Sequence, residues 1–246
     1  MFEIKVFPDA EKLARGVAEF FIGTGNEAIS NRGLFTVALA GGSTPIVSFE
    51  TLSEEPFISR IDWAKVHVFW GDERCVPPTD KECNFLMASQ FLLDNTPIPG
   101  INIYRMEGEL DPEQAAKRYK KKLEEFFGTE PQFDLILLGM GDDGHTASLF
   151  PGTAAVFDDK NWVVANYVQK KDAWRLTLTP KIINQSRNIA FVVSGESKSK
   201  VLKNVLEGKY QPETLPSQII QPVDGNLFWY IDEPAGRLLE QKHQQA

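Results

Sequence analysis

Short apolar runs alternate with amphipathic stretches along this chain, and this alternation constrains the fold more than any other feature of the sequence. Runs rich in Val, Ile and Phe suit strands that are buried on both faces. A helix-length segment between two such runs provides the crossover that parallel strands need. The sequence therefore predicts an α/β fold with a mostly parallel sheet and helices on both of its faces. Because no linker rich in Pro, Gly or Ser divides the chain, residues 1–246 are expected to form a single domain.

The expected elements follow from the apolar runs and from the capping residues between them. Strands are predicted at residues 3–7, 35–39, 66–70, 101–104, 134–138, 190–193 and 228–231. Helices are predicted at residues 11–29 after an Asp9 cap, 113–127 after Asp111, and 197–206 before Gly208. Residues 162–168 and 173–179 flank a KKDA turn and are typical of neighbouring strands, so the second half is expected to carry a small antiparallel insertion.

Composition limits the kind of partner. The net charge is −8 and the pI is near 5.0, which opposes nucleic acid binding and means that an anionic ligand would need a local positive pocket. Cys75 and Cys83 lack the spacing of a zinc site and are expected to be reduced thiols. The start MFEIKVFPDA lacks a secretion signal, and no segment reaches the ~18 apolar residues of a membrane span. We therefore expect a cytoplasmic protein without membrane contact, with oligomeric state left open and a monomer slightly favoured.

The first loop with chemical potential is LFTVALAGGSTP, residues 34–45, where a buried strand ends in Gly41 and Gly42. A helix is expected to begin after Ser43 and Thr44, with Pro45 in its first turn. The amides of such a first turn have no helical partners, and glycine lets an anion approach them closely, so the loop is suited to a phosphate group. A strand-to-helix turn with a Ser/Thr cap would select the same residues.

The second loop places charged residues directly after a strand, in the segment WGDER at residues 70–74. Ligands approach open α/β sheets at this position. Arg74 could bind a phosphate or carboxylate through its planar guanidinium group, and Asp72 could accept hydrogen bonds from sugar hydroxyl groups. An internal Asp–Arg ion pair is the structural alternative. His67 lies within the preceding strand and is expected to be a packed or edge histidine.

The third loop, LILLGMGDDGHTASLFPG at residues 135–152, presents His145 after an apolar strand. A histidine has an unperturbed pKa of roughly 6.5 and is a suitable general base near neutral pH. A loop at the carboxyl end of a strand can hold such a base against a substrate. These properties favour a hydrolytic reaction.

The same loop also matches the dinucleotide pattern GxGxxG through Gly139, Gly141 and Gly144. We reject that interpretation, because Asp142 and Asp143 would stand where a pyrophosphate group needs positive surroundings. Two later residues supply positive charge instead. Arg175 lies in a predicted strand and could face the ligand or solvent, while Lys198 is predicted at a helix start, where a cation opposes the helix dipole unless an anion binds there.

Taken together, five segments resemble the 6-phosphogluconolactonase family, and they occur in that family's order. They are AGGSTP at 40–45, WGDER at 70–74, GMGDDGHTASLFPG at 139–152, RLTLT at 175–179 and SGESK at 194–198. The resemblance runs from the first strand to the last, and GHTASLFPG is its most specific part. Ala40 stands where the family often has serine, and Cys83 where serine often precedes the asparagine equivalent to Asn84.

The resemblance implies a Rossmann-like fold and an enzyme of the oxidative pentose phosphate pathway. It implies hydrolysis of 6-phospho-D-glucono-1,5-lactone to 6-phospho-D-gluconate, a small sugar-phosphate lactone being the only partner, without metal or organic cofactor. His145 would be the general base that activates water, and Asp72 would bind hydroxyl groups or steady His145. The implied substrate-binding residues are Gly41, Gly42, Ser43, Thr44, Arg74, Gly144, Arg175 and Lys198.

Two other functions fit parts of the sequence. An amino-sugar-phosphate isomerase or deaminase would use the same glycine loops, but its proton transfers need further carboxylates, and the HTASLFPGT segment carries no Glu. A noncatalytic sugar-phosphate sensor would keep AGGSTP and Lys198 but would not need His145.

Overall fold

The strands and helices follow the alternation seen in the sequence, in a computed structural model that describes residues 2–240 and the backbone of residues 244–245. The strands are β1 (Phe2–Phe7), β2 (Phe35–Leu39), β3 (Val66–Trp70), β4 (Asp72–Arg74), β5 (Leu135–Leu138), β6 (Val163–Val168), β7 (Ala173–Leu178), β8 (Asn188–Val193), β9 (Asn226–Asp232) and β10 (Gln244–Gln245). The helices are α1 (Ala10–Arg32), α2 (Thr44–Ser53), α3 (Asn84–Phe91), α4 (Pro112–Phe127), α5 (Pro180–Ile183), α6 (Ser199–Glu207) and α7 (Glu233–Gly236). Short 3-10 helices lie at Ile58–Arg60, Trp63–Lys65, Leu93–Asn95, Gly100–Asn102, Ala154–Phe157, Gln169–Lys171, Glu196–Lys198 and Pro216–Ile219.

The main sheet is parallel, in the order β10-β1-β9-β8-β5-β2-β3. Strands β2 and β5 are neighbours in this sheet. The next main-sheet strand after β2 is β3, on one side of this pair, whereas the next after β5 is β8, on the other side. A crevice therefore opens at the carboxyl ends of β2 and β5, where ligands bind in open α/β sheets. The predicted fold class is confirmed.

Burial shows that both faces of the main sheet are covered. Every residue of β2 and of β5 is buried, as expected for parallel strands packed between layers. The buried apolar residues of both halves of the chain belong to one core cluster.

The predicted insertion is confirmed as a second sheet in the order β4-β7-β6, with antiparallel pairing throughout. Its third member, β4, was not predicted, because it is three residues long and only Gly71 separates it from β3. The small sheet thus starts where a strand of the main sheet ends.

The predicted helix caps are also confirmed. The Asp9 side chain accepts a hydrogen bond of 2.8 Å from the amide of Lys12, and Asp111 accepts one of 3.1 Å from the amide of Gln114. Helix α1 ends at Arg32 and is followed by Gly33, whose φ of +83° closes the helix.

Two sequence predictions were wrong in detail. The strand predicted at residues 101–104 is a 3-10 helix, Gly100–Asn102, followed by a single bridge from Ile103 to Val68. The side chain of Ile101 is 85% exposed, so the apolar run does not mark a buried strand. The helix predicted to begin at residue 197 begins at Ser199, after the 3-10 helix Glu196–Lys198.

An ion-pair cluster ties the elements together at the amino ends of the strands. The buried carboxylate of Asp134 lies 2.7 Å from the guanidinium of Arg32 and 3.5 Å from that of Arg187. It also accepts hydrogen bonds from the amide and the hydroxyl of Thr36, at 2.8 and 3.0 Å. This cluster lies at the edge of the sheet opposite the crevice.

Three side chains behave as the sequence suggested. Cys75 and Cys83 are free thiols, and burial raises the pKa of each to about 11. His67 packs against the rings of Tyr104 and Phe126, and its partial burial lowers its pKa. None of the described helices is both long and apolar enough to cross a membrane.

Candidate active site

A cavity of about 310 Å³ lies at the carboxyl ends of β2, β3 and β5. It brings together residues that are far apart in the sequence. Its polar and charged lining includes Ser43, Thr44, Asp72, Arg74, Glu82, His145, Ser148, Lys171, Arg175 and Lys198. In a protein with a net charge of −8, four of these are lysine or arginine, which makes the cavity a site for an anion.

The loop after β2 forms one wall of the cavity. Gly42 has a φ of +91°, a conformation that glycine adopts without strain. Ser43 precedes α2 but makes no capping bond through its side chain, and Pro45 occupies the first turn. Gly42, Ser43 and Thr44 thus line the cavity at an end of α2 that no side chain caps, an arrangement suited to a phosphate group.

His145 forms the facing wall, in the loop after β5. Its carbonyl oxygen accepts a 2.8 Å hydrogen bond from the amide of Gly141, and its ring stacks on Phe150 at a centroid distance of 4.0 Å. The ring lies so close to Gly141 that a Cβ atom there would be 2.0 Å from His145 Nδ1 and Cε1. Glycine at position 141 is therefore what allows the imidazole to occupy this place.

Asp143 holds the imidazole of His145 in one orientation. Its Oδ1 lies 2.5 Å from His145 Nδ1, and its Oδ2 accepts a 3.0 Å hydrogen bond from Lys170 Nζ. The hydrogen bond from His145, followed by the one from Lys170, holds the pKa of Asp143 well below its usual range despite partial burial. An ionised Asp143 accepts the proton on Nδ1, so the other ring nitrogen, Nε2, is the one able to accept a proton.

Asp72 is held at the cavity by hydrogen bonds to Ser148 and Asn84. Its Oδ2 accepts a 2.7 Å hydrogen bond from the hydroxyl of Ser148, and Asn84 donates a 2.9 Å hydrogen bond to its carbonyl oxygen. Among the described residues, the carboxylate that contacts the ring of His145 is that of Asp143, and a role for Asp72 in catalysis stays a prediction. Asp72 does line the cavity, where it can still accept hydrogen bonds from a ligand.

Glu73, the neighbour of Asp72, fixes this wall from behind. Its buried carboxylate accepts hydrogen bonds from the amides of Asn84 and Phe85 at the start of α3, and from the amide of Arg74. Burial raises the pKa of Glu73, although these three amides oppose the shift. The carboxylate caps α3 and thereby sets the position of β4 beside the cavity.

Two arginines face each other across the small sheet. Arg74 of β4 is paired with Arg175 of β7 in the antiparallel register, and both line the cavity. Burial, followed by the charge of Arg74, lowers the pKa of Arg175. Like charges directly opposite each other on two strands destabilise the pair, and an anion held between them would remove that repulsion.

The other predicted cation, Lys198, also lies at the cavity. It comes from the 3-10 helix before α6, and its Nζ lies 2.5 Å from Asp142 Oδ1. Because Asp142 is exposed, with 79% of its side-chain surface accessible, a ligand anion can replace it as the partner of Lys198.

Gly144 is the one predicted site residue that does not line the cavity. Its φ is +76°, its amide donates to the carbonyl oxygen of Gly141, and its own carbonyl oxygen accepts hydrogen bonds from the amide and hydroxyl of Ser217. It shapes and anchors the His145 loop. Its amide is already bonded within the loop, and a direct contact between Gly144 and substrate stays a prediction.

The sequence reasoning missed three residues: Asp143, Lys170 and Lys171. Asp143 could have been suggested by its position two residues before a histidine in a turn. Lys170 and Lys171 lie at the tip of the β6–β7 hairpin, and only the folded hairpin brings them to the loop. Across residues 2–240, no group of three or more His, Cys, Asp or Glu side chains is placed to hold a metal ion.

A parallel α/β sheet with a supported histidine and a cationic cavity at its switch point defines a class, that of enzymes acting on small anionic molecules. The family is given by sequence. Residues 8–229 match the model of the glucosamine-6-phosphate isomerases/6-phosphogluconolactonase family, and the chain belongs to this family. The family prediction made from the sequence is thereby confirmed.

Individual relatives agree with this assignment. The chain is 43% identical to a 6-phosphogluconolactonase of Synechocystis sp., over 87% of this chain and 88% of the relative. It is 39% identical to a 6-phosphogluconolactonase of Haemophilus influenzae, over 82% of this chain and 87% of the relative. Among solved structures, the 6-phosphogluconolactonase of Trypanosoma brucei superposes with a TM-score of 0.86 at 27% identity, covering 97% of this chain and 99% of that one.

Proposed function

We propose that this protein is a 6-phosphogluconolactonase, which hydrolyses 6-phospho-D-glucono-1,5-lactone to 6-phospho-D-gluconate. The observation that carries the proposal is that His145, oriented by Asp143, shares one cavity with the open amino end of α2. A base and an anion seat in one cavity match a substrate with a phosphate at one end and an ester at the other. The names of the relatives, at up to 43% identity over most of the chain, support the same activity.

In the proposed reaction, neutral His145 accepts a proton at Nε2 from a water molecule as the water oxygen attacks the lactone carbonyl carbon. The resulting imidazolium is stabilised by Asp143. When the tetrahedral intermediate collapses, the bond between the carbonyl carbon and the ring oxygen breaks. His145 then returns the proton to the departing ring oxygen, which becomes a hydroxyl group, and the new carboxylic acid ionises.

The arginines are the proposed donors for the oxyanion of that intermediate. Within the His145 loop, the amides of Gly141, Gly144 and His145 already have hydrogen-bond partners. The guanidinium groups of Arg74 and Arg175 line the same cavity and carry several donors each. A preorganised donor of this kind lowers the barrier by roughly 3 kcal/mol.

The phosphate is proposed to bind at the opposite wall. The amides of Gly42, Ser43 and Thr44 offer unpaired donors at the start of α2, and Lys198 adds a positive charge when Asp142 is displaced. Holding the phosphate there places the lactone carbonyl near His145, and such positioning is itself a large part of catalysis. No metal is needed in this scheme, because a base and positioned donors suffice for an ester as reactive as a δ-lactone.

The test is acid release from freshly prepared 6-phosphogluconolactone, corrected for spontaneous hydrolysis and repeated with added chelator. We expect His145→Ala to lower kcat/KM by roughly 10²- to 10⁴-fold, whereas His67→Gln, which changes a histidine outside the cavity, keeps most of the activity. Glucosamine 6-phosphate serves as the competing substrate. Deamination of that compound, or equal lactonase rates for the wild type and His145→Ala, would exclude the proposed reaction.

A further inference from the structure

The tip of the β6–β7 hairpin reaches the loop that carries His145. The tip is the 3-10 helix Gln169–Lys171, closed by Asp172 in a left-handed conformation with a φ of +47°. Lys170 Nζ lies 3.0 Å from Asp143 Oδ2. The hairpin thus contributes a cation to the carboxylate that orients the histidine.

The carboxylate of Asp143 contacts two partners, one at each of its oxygen atoms. Its Oδ1 faces His145 Nδ1 at 2.5 Å, while its Oδ2 faces Lys170. A carboxylate beside an imidazole favours the protonated ring. The positive charge of Lys170 works in the opposite direction, because it offsets part of the negative charge of Asp143 and repels an imidazolium.

We propose that Lys170 is a positioning residue for the reaction, acting through Asp143 to fix the orientation of His145 and to keep it unprotonated at lower pH. The inference rests on the proposed function only for its kinetic readout. It assigns a role to the tip of the β6–β7 hairpin, in addition to the role proposed for Arg175 of β7.

Other charged residues line the same cavity as His145, and the expected effect has to be separated from theirs. They are Asp72, Arg74, Glu82, Lys171, Arg175 and Lys198, together with Asp142, the partner of Lys198. Asp142 is engaged by Lys198, and Arg74 and Arg175 belong to the small sheet. Unlike these residues, Lys170 donates a hydrogen bond to the side chain of Asp143, as His145 does. A change confined to position 170 therefore isolates the contribution of Lys170.

The sign of the effect follows from the charges. Removing the Lys170 charge leaves Asp143 free to stabilise the imidazolium of His145, so the histidine keeps its proton to a higher pH. A unit charge that contacts the far oxygen of the neighbouring carboxylate, in a site open to water, moves such a titration by about 0.3 to 0.7 of a pH unit at low salt. Screening should reduce the shift at high salt.

The experiment compares Lys170→Gln, which removes the charge, with Lys170→Arg, which keeps it. Lys65→Gln is the control, because Lys65 forms a surface ion pair with Asp62, at 3.2 Å, at the opposite edge of the sheet and away from the cavity. For each variant, kcat/KM is measured from pH 5 to 8 at low and high salt. The titration of the His145 ring is followed independently by NMR, with its signal assigned by comparison with His145→Gln.

We expect Lys170→Gln to move the acid limb of the kcat/KM profile, and the NMR midpoint of His145, to higher pH by about 0.3 to 0.7 of a unit at low salt. Lys170→Arg and Lys65→Gln should match the wild type. An unchanged midpoint in Lys170→Gln, a move to lower pH, or an equal shift in Lys170→Arg would overturn the proposal. If the wild type does not hydrolyse the lactone, the proposed function fails, and the NMR midpoint alone then decides the role of Lys170.

Discussion

Replacing Gly141 with alanine is expected to displace the imidazole of His145 while leaving the phosphate wall of the cavity intact. An alanine Cβ would lie 2.0 Å from Nδ1 and Cε1 of that ring. Ordinary contact between such atoms begins near 3.4 Å, so the ring must retreat by about 1.4 Å. Gly141 is not among the glycines with positive φ, so the effect comes from the lack of space and not from backbone strain.

A displacement of about 1 Å in a catalytic group can lower the rate by about 10²-fold, which corresponds to about 2.7 kcal/mol in the activation barrier. We therefore expect Gly141→Ala to lower kcat for the lactone by about two orders of magnitude, with KM changed by less than threefold because the proposed phosphate contacts lie on the other wall. The assay is steady-state acid release across a range of lactone concentrations.

Gly139→Ala is the comparison variant, since it lies in the same loop and a Cβ there meets nothing within 4 Å. Its kcat should stay within a few-fold of the wild type. If Gly141→Ala retains more than a third of the wild-type kcat while remaining folded by circular dichroism, or if Gly139→Ala is equally impaired, the steric argument is wrong.

Two further predictions concern stability and thiol chemistry. Asp134→Ala leaves Arg32 and the buried Thr36 amide without their partner, so the free energy of unfolding in urea should fall by about 3 kcal/mol. Because the cluster lies away from the cavity, the folded variant should keep its kcat. A large loss of kcat in the folded variant would contradict a purely structural role for Asp134. Cys75 and Cys83, with pKa values of about 11, should be about one-thousandth ionised at pH 8. The native protein should therefore react with iodoacetamide much more slowly than the urea-unfolded chain. Rapid labelling of the native protein with loss of activity would contradict the burial of these thiols.

Local patterns were sufficient for most of the fold. Strands β2 and β3 were predicted to the residue, because each is a short run with one polar residue among apolar ones, between clear turn signals. Residues 101–104 carry the same composition but not the same environment: Ile101 points outward, and a single bridge joins the segment to β3. Composition alone does not distinguish a buried apolar run from an exposed one.

The site was predictable where the sheet dictates it. Any loop that follows a parallel strand reaches the same edge, so Ser43, Asp72 and His145 could be expected near one another before the structure was known. The partner of His145 could not, because Asp72 and Asp143 are both carboxylates near the cavity and only the turn geometry places Asp143 within reach. Lys170 comes from a hairpin 25 residues later in the chain, and sequence spacing carries no information about where that tip lies.

The small sheet shares the core of the main sheet, but the tip of its hairpin lies outside that core. The β6–β7 hairpin carries this turn to the rim of the cavity on two strands of its own. Insertions or substitutions in that turn can alter which charges meet a bound molecule without repacking the interior. Substrate preference can therefore diverge among descendants of such a chain while thermal stability stays nearly constant.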